Sequence, residues 1–269
     1  METTHDGAST GGYRDPPFLT ALGLRMLPGS GEDGAGGGVA RATATLGPAT
    51  WAEGARRPRL GALVVMADVV AGLRPTGALT PTVDLSVQLV RPLPARGRIA
   101  LECRPLREGR RLFVGEVRVQ HEETLVARGV ATFINRPYSG PGARRDAIPE
   151  GDPPAVPFDR WLRPAYDGDT VLVGYAPDIS NGPGGTIQGG LQATAAELAA
   201  ERALASAGQG YVATGIDIRY LSPVKTGPLA ATAEVLAVHP DRAHTSVRLT
   251  DAGDGDRLVA YATTVSGPE

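Results

Sequence analysis

The same order of elements occurs twice along the chain, and this repeat limits the possible folds more than any other feature of the sequence. Each copy starts with an apolar stretch of helical length and continues with four runs in which apolar and polar residues alternate, as in half-buried strands. The predicted helices lie near residues 60–73 and 187–206. The predicted strands lie near 79–90, 98–103, 112–120 and 125–134 in the first copy, and near 211–221, 229–238, 244–249 and 258–265 in the second.

Three local matches align the two copies. They are Asp68 with Glu197 inside the helices, Arg91-Pro92 with Ser222-Pro223 after the first long strand, and the tripeptide Leu-Val-Ala at 125–127 and 258–260. Further strand-like sequence precedes each helix, at 18–26 and 39–46 in the first copy and at 170–175 in the second. The chain is therefore predicted to consist of two similar domains.

The limits of these domains follow from local composition. Residues 1–16 are polar and lack the apolar middle of a signal peptide, so a disordered N-terminal tail is predicted there. Proline, glycine and charged residues are concentrated at 138–158, which is typical of a linker. The two domains then comprise residues 17–137 and 159–269.

Each copy is predicted to be an α+β unit in which an antiparallel sheet wraps around one central helix. Apolar residues make up 42% of the chain and aromatic residues only 5%, so the core is expected to consist mainly of aliphatic side chains. Two such units can join their sheets side by side, which removes two exposed edge strands.

Charge and cysteine content exclude several classes of function. The net charge is −2, from 27 basic and 29 acidic side chains, so the protein has no field that would attract nucleic acid or an anionic membrane. Cys103 is the only cysteine, which rules out an intrachain disulfide and fits the reducing cytoplasm. The four histidines show no metal-ligand spacing, so neither a metal nor a resident cofactor is predicted.

The start of the second helix carries the most specific motif. Asn181 is followed by Gln188-Gly189-Gly190, and Glu197 lies nine positions after Gln188. In this motif the chain resembles the double hotdog acyl-CoA thioesterases of the phenylacetate-pathway type, in which an Asn precedes His-Gly-Gly and an Asp lies nine positions after the His. Gln188 replaces the usual His, and Asn181 is about one residue further away than in the family pattern. The resemblance covers the chain from about Phe18 onward and implies two tandem hotdog domains that form an intramolecular dimer.

The first copy departs from the motif in a different way. Arg59-Leu60-Gly61 stands where His-Gly-Gly is expected, and no Asn precedes it, but Asp68 has the expected spacing. Thr82 matches the hydroxyl-bearing strand residue of the family. In the second copy that position falls on Ala213, with Thr214 one residue along.

The resemblance implies two sites, each combining the helix start of one domain with the acid and hydroxyl of the other. One composite site is expected to contain Asn181, Gln188, Gly189, Asp68 and Thr82. The second possible site is expected to pair Arg59 and Gly61 with Glu197 and Thr214, and it lacks an Asn. We therefore expect one working site and one degenerate site.

The residue types of the expected working site suit thioester hydrolysis. Gly189 is predicted to be the main oxyanion donor, because a helix N-terminus offers free N–H groups and a partial positive charge. Asp68 is predicted to act as general base or as nucleophile, and both routes stay open. Thr82 is predicted to orient the water or Asp68, and Asn181 to hold the thioester carbonyl or the water.

The predicted substrate is an acyl-CoA or an acyl-carrier thioester, with coenzyme A as part of the substrate. Gly190 leaves room for the thioester, and Lys225 and Arg91 are candidate contacts for the phosphates of coenzyme A. Two other functions stay open: a hydratase or dehydratase of acyl thioesters, which in this fold depends on a His, and a non-catalytic acyl-thioester binder. A homodimer or a higher assembly of double hotdogs is also open.

Overall fold

The computed structural model describes residues 17–27, 38–72, 78–137, 156–181 and 185–269. Its helices are α1 Pro17–Ala21, α2 Leu60–Gly72 and α3 Gly189–Ser206. Its strands are β1 Arg25–Met26, β2 Ala40–Leu46, β3 Ala78–Leu79, β4 Thr82–Leu89, β5 Gly97–Glu108, β6 Leu112–His121, β7 Thr124–Ile134, β8 Arg136–Pro137, β9 Ala165–Asp167, β10 Thr170–Val173, β11 Ser180–Asn181, β12 Thr186–Ile187, β13 Tyr211–Tyr220, β14 Leu229–His239, β15 Arg242–Asp251 and β16 Arg257–Pro268. The tail predicted at 1–16 and residues 138–155 of the predicted linker lie outside the described residues.

Twelve of these strands form one antiparallel sheet, in the order β1-β2-β5-β6-β7-β4-β13-β16-β15-β14-β10-β9. The first half of the chain therefore supplies one half of the sheet and the second half supplies the other. The two halves meet at β4 and β13, which pair antiparallel with Leu85 opposite Ile218. The predicted fold class, in which two helix-wrapping sheets join side by side, is confirmed.

Helices α2 and α3 contact each other as well as the sheet. A Cβ atom at Gly61 would lie 2.2 Å from the Thr194 side chain, and one at Gly190 would lie 2.6 Å from the Val65 backbone. Because no side chain fits at these distances, glycine at both positions lets the helices approach closely. Gly61 is near the start of α2 and Gly190 near the start of α3, so each helix start lies beside the middle of the other helix.

The aliphatic composition of α2 explains its position in the core. Every residue of α2 except Gly72 is buried, whereas α3 exposes side chains only in its last two turns. A helix that is apolar on all sides is stable only when it is enclosed on all sides. The one ionisable side chain in α2, Asp68, is therefore carried into the core with it.

Two β-bulges occur at corresponding places in the halves of the sheet. The first lies between Thr82 and Asp84 in β4, and the second between Ala213 and Gly215 in β13. A bulge inserts one extra residue and so changes which side chains face the core. Beyond the first bulge Thr82 pairs with the buried Phe133, which places Thr82 on the helix-facing side of the sheet.

The prediction of a strand over 18–26 is wrong for most of that segment. Residues Pro17–Ala21 form α1, and only Arg25–Met26 pair with β2. Proline is well tolerated in the first turn of a helix, and the apolar residues Phe18, Leu19 and Leu22 have the spacing of one buried helical face. A short apolar run does not by itself distinguish a strand from such a helix.

Candidate active site

Asp68 lies in the middle of α2 with only 7% of its surface exposed. Each of its carboxylate oxygens accepts a hydrogen bond from a different element: Thr82 Oγ1 donates to Oδ1 at 2.6 Å, and Gln188 Nε2 donates to Oδ2 at 2.5 Å. Such bonds fix the plane of the carboxylate and offset part of its desolvation cost. An acid of the first half is thus held directly by a residue of the second half.

Gln188 is the N-cap of α3 and is 1% exposed. Its Oε1 accepts a hydrogen bond from the Leu191 backbone N–H at 3.0 Å, while its Nε2 donates to Asp68. The two bonds fix which end of the carboxamide faces the acid, because only the nitrogen can donate. Gln188 therefore joins the start of α3 to the carboxylate on α2.

The first two backbone N–H groups of α3 belong to Gly189 and Gly190, and neither has an acceptor among the described residues. The third, that of Leu191, is already occupied by the Gln188 carbonyl and side chain. Unpaired N–H groups at a helix start, together with the positive end of the helix dipole, favour a negatively charged oxygen. The site therefore combines a fixed carboxylate with two donors for an oxyanion.

Tyr220, the last residue of β13, closes one side of this arrangement. Its hydroxyl donates to the Gly189 carbonyl at 2.7 Å, and a Cβ atom at Gly189 would lie 3.1 Å from its ring. Burial, followed by the nearby Asp68 carboxylate, raises the pKa of Tyr220 well above 10. The hydroxyl is therefore a protonated donor throughout the pH range in which proteins function.

The start of α2 differs from the start of α3 because an acid of this chain already occupies it. Glu197 Oε1 accepts a hydrogen bond from Leu60 N–H at 3.1 Å, and Oε2 accepts one from Gly61 N–H at 2.7 Å. Glu197 corresponds to Asp68, but its side chain is longer by one methylene and reaches the backbone amides. The two donors that would face an oxyanion are consequently used within the protein.

Arg59 fills the position that corresponds to Gln188. Its guanidinium forms two hydrogen bonds of 2.8 Å with the Asp159 carboxylate, contacts Glu201, and lies 3.5 Å from Glu197 Oε1. Burial alone would lower the pKa of Arg59, but the surrounding carboxylates raise it above its ordinary value. Burial raises the pKa of Glu197 to about 7, although Arg59 acts in the opposite direction. This second site is a buried ion cluster, with its cation fully paired.

Two family models match the chain, one in each half. Residues 48–134 match the acyl-CoA thioesterase N-terminal domain, and residues 184–264 match the thioesterase superfamily. The two matches contain both helices and the strands at the seam, and together they span more than half of the chain. The chain is an acyl-CoA thioesterase of the hotdog fold.

Solved structures with the same fold cover this thioesterase almost completely. A tesB protein from Mycobacterium avium subs paratuberculosis has a TM-score of 0.65 and 15% identity, with 93% of this chain and 97% of the other covered. A hot dog fold protein from Alicyclobacillus acidocaldarius has a TM-score of 0.61 and 13% identity, with coverage of 95% and 99%. An acyl-CoA thioesterase II, TesB2, from Mycobacterium marinum has a TM-score of 0.57 and 14% identity, with coverage of 94% and 98%. A comparison with curated proteins finds no significant match.

Two further predicted site residues, Asn181 and Thr214, have no described side-chain contact with Asp68 or Glu197. The backbone of Asn181 forms the β11–β12 pair with Thr186, but its side chain lies outside the described part of the chain. Thr214 is the extra residue of the bulge in β13, and its hydroxyl donates to the Val265 carbonyl at 3.2 Å rather than to Glu197. Of the residues predicted for the second site, Gly61 therefore forms a hydrogen bond with Glu197, whereas Thr214 does not.

Lys225 and Arg91, the candidate contacts for coenzyme A, are both exposed. Lys225 follows Val224, whose N–H donates to Thr186 Oγ1 at 3.0 Å, so its loop lies beside the start of α3. Arg91 donates to the Leu125 carbonyl at 2.9 Å. Their contacts with the phosphates of coenzyme A stay predictions.

Two residues of the thioesterase were missed by sequence reasoning. Tyr220 ends the strand that precedes Ser222-Pro223, and Leu89 stands at the same place in the first copy, so comparison of the two copies offered a signal. Asp159 offered none, because it reaches Arg59 only through the fold.

Neither a metal centre nor a membrane span is found in the described ranges of the chain. No three His, Cys, Asp or Glu residues there are grouped so that they could hold a metal ion. No helix there is long and apolar enough to cross a bilayer.

Proposed function

We propose that this thioesterase hydrolyses acyl-CoA at one composite site, made of Asp68 and Thr82 from the first half and of Gln188, Gly189 and Gly190 from the second. The observation that carries the proposal is the Gln188–Asp68 hydrogen bond, which sets an ionisable acid against a helix start whose first two N–H groups have no acceptor among the described residues. These are the parts that acyl transfer to water requires: a base and an oxyanion hole.

In the proposed mechanism the thioester carbonyl oxygen lies against the N–H groups of Gly189 and Gly190. A water molecule beside Asp68 gives a proton to the carboxylate and forms a bond to the carbonyl carbon, so the carbonyl oxygen becomes an oxyanion. Collapse of this tetrahedral intermediate breaks the carbon–sulfur bond, and the thiolate takes the proton back from Asp68. The products are the free acid and the thiol.

General-base catalysis is preferred here to nucleophilic attack by Asp68. Both carboxylate oxygens already accept a hydrogen bond, from Thr82 and from Gln188. Hydrogen bonds to both oxygens fix the plane of the carboxylate, which suits an acid that takes a proton from a positioned water. A single turnover in ¹⁸O-labelled water distinguishes the routes, because only an anhydride intermediate transfers enzyme oxygen to the acid product.

We propose that the Glu197 site is not catalytic. Its helix amides are bound by Glu197 itself, and the position of the hydroxyl residue is taken by Ala213, which has none. Arg59 replaces Gln188 and is tied to Asp159, and both oxygens of Glu197 accept hydrogen bonds from the backbone of α2.

We also propose the subtype, the contacts with coenzyme A and the cellular setting of this thioesterase. The proposal of the phenylacetate-pathway subtype rests on the motif from Asn181 to Glu197, in which Gln188 replaces the usual His. Two of the similar solved structures carry a different label, tesB, in their titles. Lys225 and Arg91 are proposed to contact coenzyme A, and residence in the cytoplasm and assembly into dimers of double hotdogs are proposed from the sequence.

The proposal is tested directly by incubating the protein with short, medium, branched and aromatic acyl-CoAs and measuring the release of free thiol. Hydrolysis of at least one substrate well above background, abolished by Asp68→Asn, supports the proposal. Binding of acyl-CoA without thiol release would instead favour the non-catalytic binder. Hydration of an enoyl-CoA would favour the hydratase, although none of the described histidines lies on α2 or α3.

A further inference from the structure

The hydroxyl of Tyr220 binds a peptide unit that the proposed mechanism uses. It donates to the Gly189 carbonyl, and that carbonyl shares one planar peptide group with the N–H of Gly190. Fixing the carbonyl therefore fixes the direction in which the Gly190 N–H points. A hydrogen bond to the carbonyl also polarises the amide, so its N–H becomes a stronger donor.

The need for such a brace follows from the two adjacent glycines. Glycine has the largest backbone freedom of any residue, so a Gly-Gly helix start is less well ordered than one with side chains. The Tyr220 ring lies where a side chain at Gly189 would be, with its nearest atom 3.1 Å from an ideal Cβ position. The tyrosine thus supplies from β13 the packing that the glycine lacks.

The other half of the molecule has neither the free amides nor the tyrosine. Because Arg91-Pro92 corresponds to Ser222-Pro223, Leu89 takes the place of Tyr220 there. Leu89 packs against the core but cannot donate a hydrogen bond. The helix start on that side is held by Glu197 instead. Among the described residues, the tyrosine occurs at the helix start whose amides bind no carboxylate, and not at the other.

We propose that Tyr220 is a positioning residue for the oxyanion hole, acting through the Gly189–Gly190 peptide. This inference rests on the proposed thioesterase site. Tyr220 is expected to stabilise the transition state rather than the bound substrate. The thioester oxygen that the Gly190 N–H binds becomes negatively charged only in the transition state.

The test compares Tyr220→Phe with Tyr211→Phe. Tyr211 begins the same strand, and its hydroxyl likewise donates to backbone carbonyls, those of His239 at 2.7 Å and Pro240 at 3.0 Å, so it is a matched control. We expect Tyr220→Phe to lower kcat about tenfold with little change in KM, the size of effect that one net hydrogen bond produces. Tyr211→Phe is expected to keep wild-type kcat.

A second readout separates an oxyanion effect from a general structural one. In a dithioester substrate, sulfur replaces the carbonyl oxygen and accepts hydrogen bonds poorly. The wild-type preference for the oxygen substrate is expected to shrink by about the same tenfold factor in Tyr220→Phe, because part of the donor strength is lost. Unchanged preference, or an unchanged kcat, would overturn the role of Tyr220.

The outcomes also distinguish this inference from the proposed function. If the wild type cleaves thioesters and Asp68→Asn does not, an unaffected Tyr220→Phe refutes only the tyrosine. If Asp68→Asn retains wild-type turnover, the composite site itself is wrong, and the role of Tyr220 fails with it.

Discussion

At the scale of single residues, one methylene separates the two acids and determines what each can do. Asp68 is too short to cap the opposite helix and is bound by the side chains of Thr82 and Gln188. Glu197 reaches the backbone of Leu60 and Gly61 and caps α2. The same position in the repeat therefore carries a candidate base in one half and a structural ligand in the other.

Substitution of these two acids by their amides tests the difference between them. Asp68→Asn is expected to lower kcat at least about a hundredfold, because the amide cannot accept the proton of the attacking water. Glu197→Gln is expected to change kcat less than about threefold, since its helix start does not bind substrate in the proposed mechanism. Thiol release from a good acyl-CoA substrate measures both, and the reverse ranking would show that the Glu197 site is the working one.

The resemblance to double hotdog thioesterases implied that Asp68, Gln188 and Gly189 lie together, and Gln188 does contact Asp68, but the resemblance did not imply everything that touches them. Placement of the Thr82 hydroxyl depends on a bulge that no local pattern of β4 reveals, because one extra residue reverses the inward and outward alternation. Thr214 shows the reverse case: the bulge in β13 turns it toward Val265. The expectation for Thr82 therefore came from the family resemblance, and the register decided that Thr82 reaches its acid whereas Thr214 does not.

At the scale of the elements, the glycines of the two helix starts set the distance between α2 and α3. The composite site needs this short distance, because the Gln188 side chain must span from one helix to the other. Periodicity predicted the limits of both long helices closely. The apolar run at 18–26 was wrongly predicted to be a strand, because a short helix and a short strand that each bury one face have similar sequences.

Gly190→Ala tests the helix contact. The added Cβ would lie 2.6 Å from the Val65 backbone, which cannot move away as a side-chain tip can. We expect the free energy of unfolding to fall by roughly 2 kcal/mol or more through overpacking. Gly210→Ala is the control, because its Cβ would meet nothing within 4 Å, and a change of about 0.5 kcal/mol or less is expected. Equal urea midpoints for the two variants would contradict the packing account.

The ion cluster at the start of α2 predicts a dependence of stability on pH. The pKa of Glu197 is about 7 in the folded protein and about 4.5 as an ordinary carboxyl. Between these values the folded state holds a proton that the unfolded chain releases, so stability falls as pH rises from about 4.5 to about 7 and is level above.

Urea unfolding at pH 5 and pH 8 measures this effect. The wild type is expected to lose up to about 3 kcal/mol between the two values from this group, and Glu197→Gln is expected to lack that loss. Glu234→Gln, an exposed acid on β14, is the control and should follow the wild type. A Glu197→Gln curve parallel to the wild type would contradict the pKa assignment.

At the scale of the whole molecule, the continuous sheet explains how one chain can supply both halves of the proposed composite site. Pairing of β4 with β13 aligns the halves so that α2 of one faces the start of α3 of the other. Duplication provides two such meeting points, and the differences between the copies leave one with the proposed catalytic carboxylate and one with a buried ion cluster. The repeat predicted this architecture, because both helices and the strands at the seam have recognisable periodicity. Asp159, which closes the second site from beyond the linker, has no local signal.

The central claim is that Asp68 of one half and Gln188 of the other act as a unit in the same site. A double-mutant cycle on kcat/KM with Asp68→Asn, Gln188→Ala and the double variant tests it most directly. We expect each single change to reduce kcat/KM strongly, and the double variant to be little worse than Asp68→Asn alone. Independent, multiplicative losses in the double variant, or wild-type activity in Asp68→Asn, would contradict the composite site.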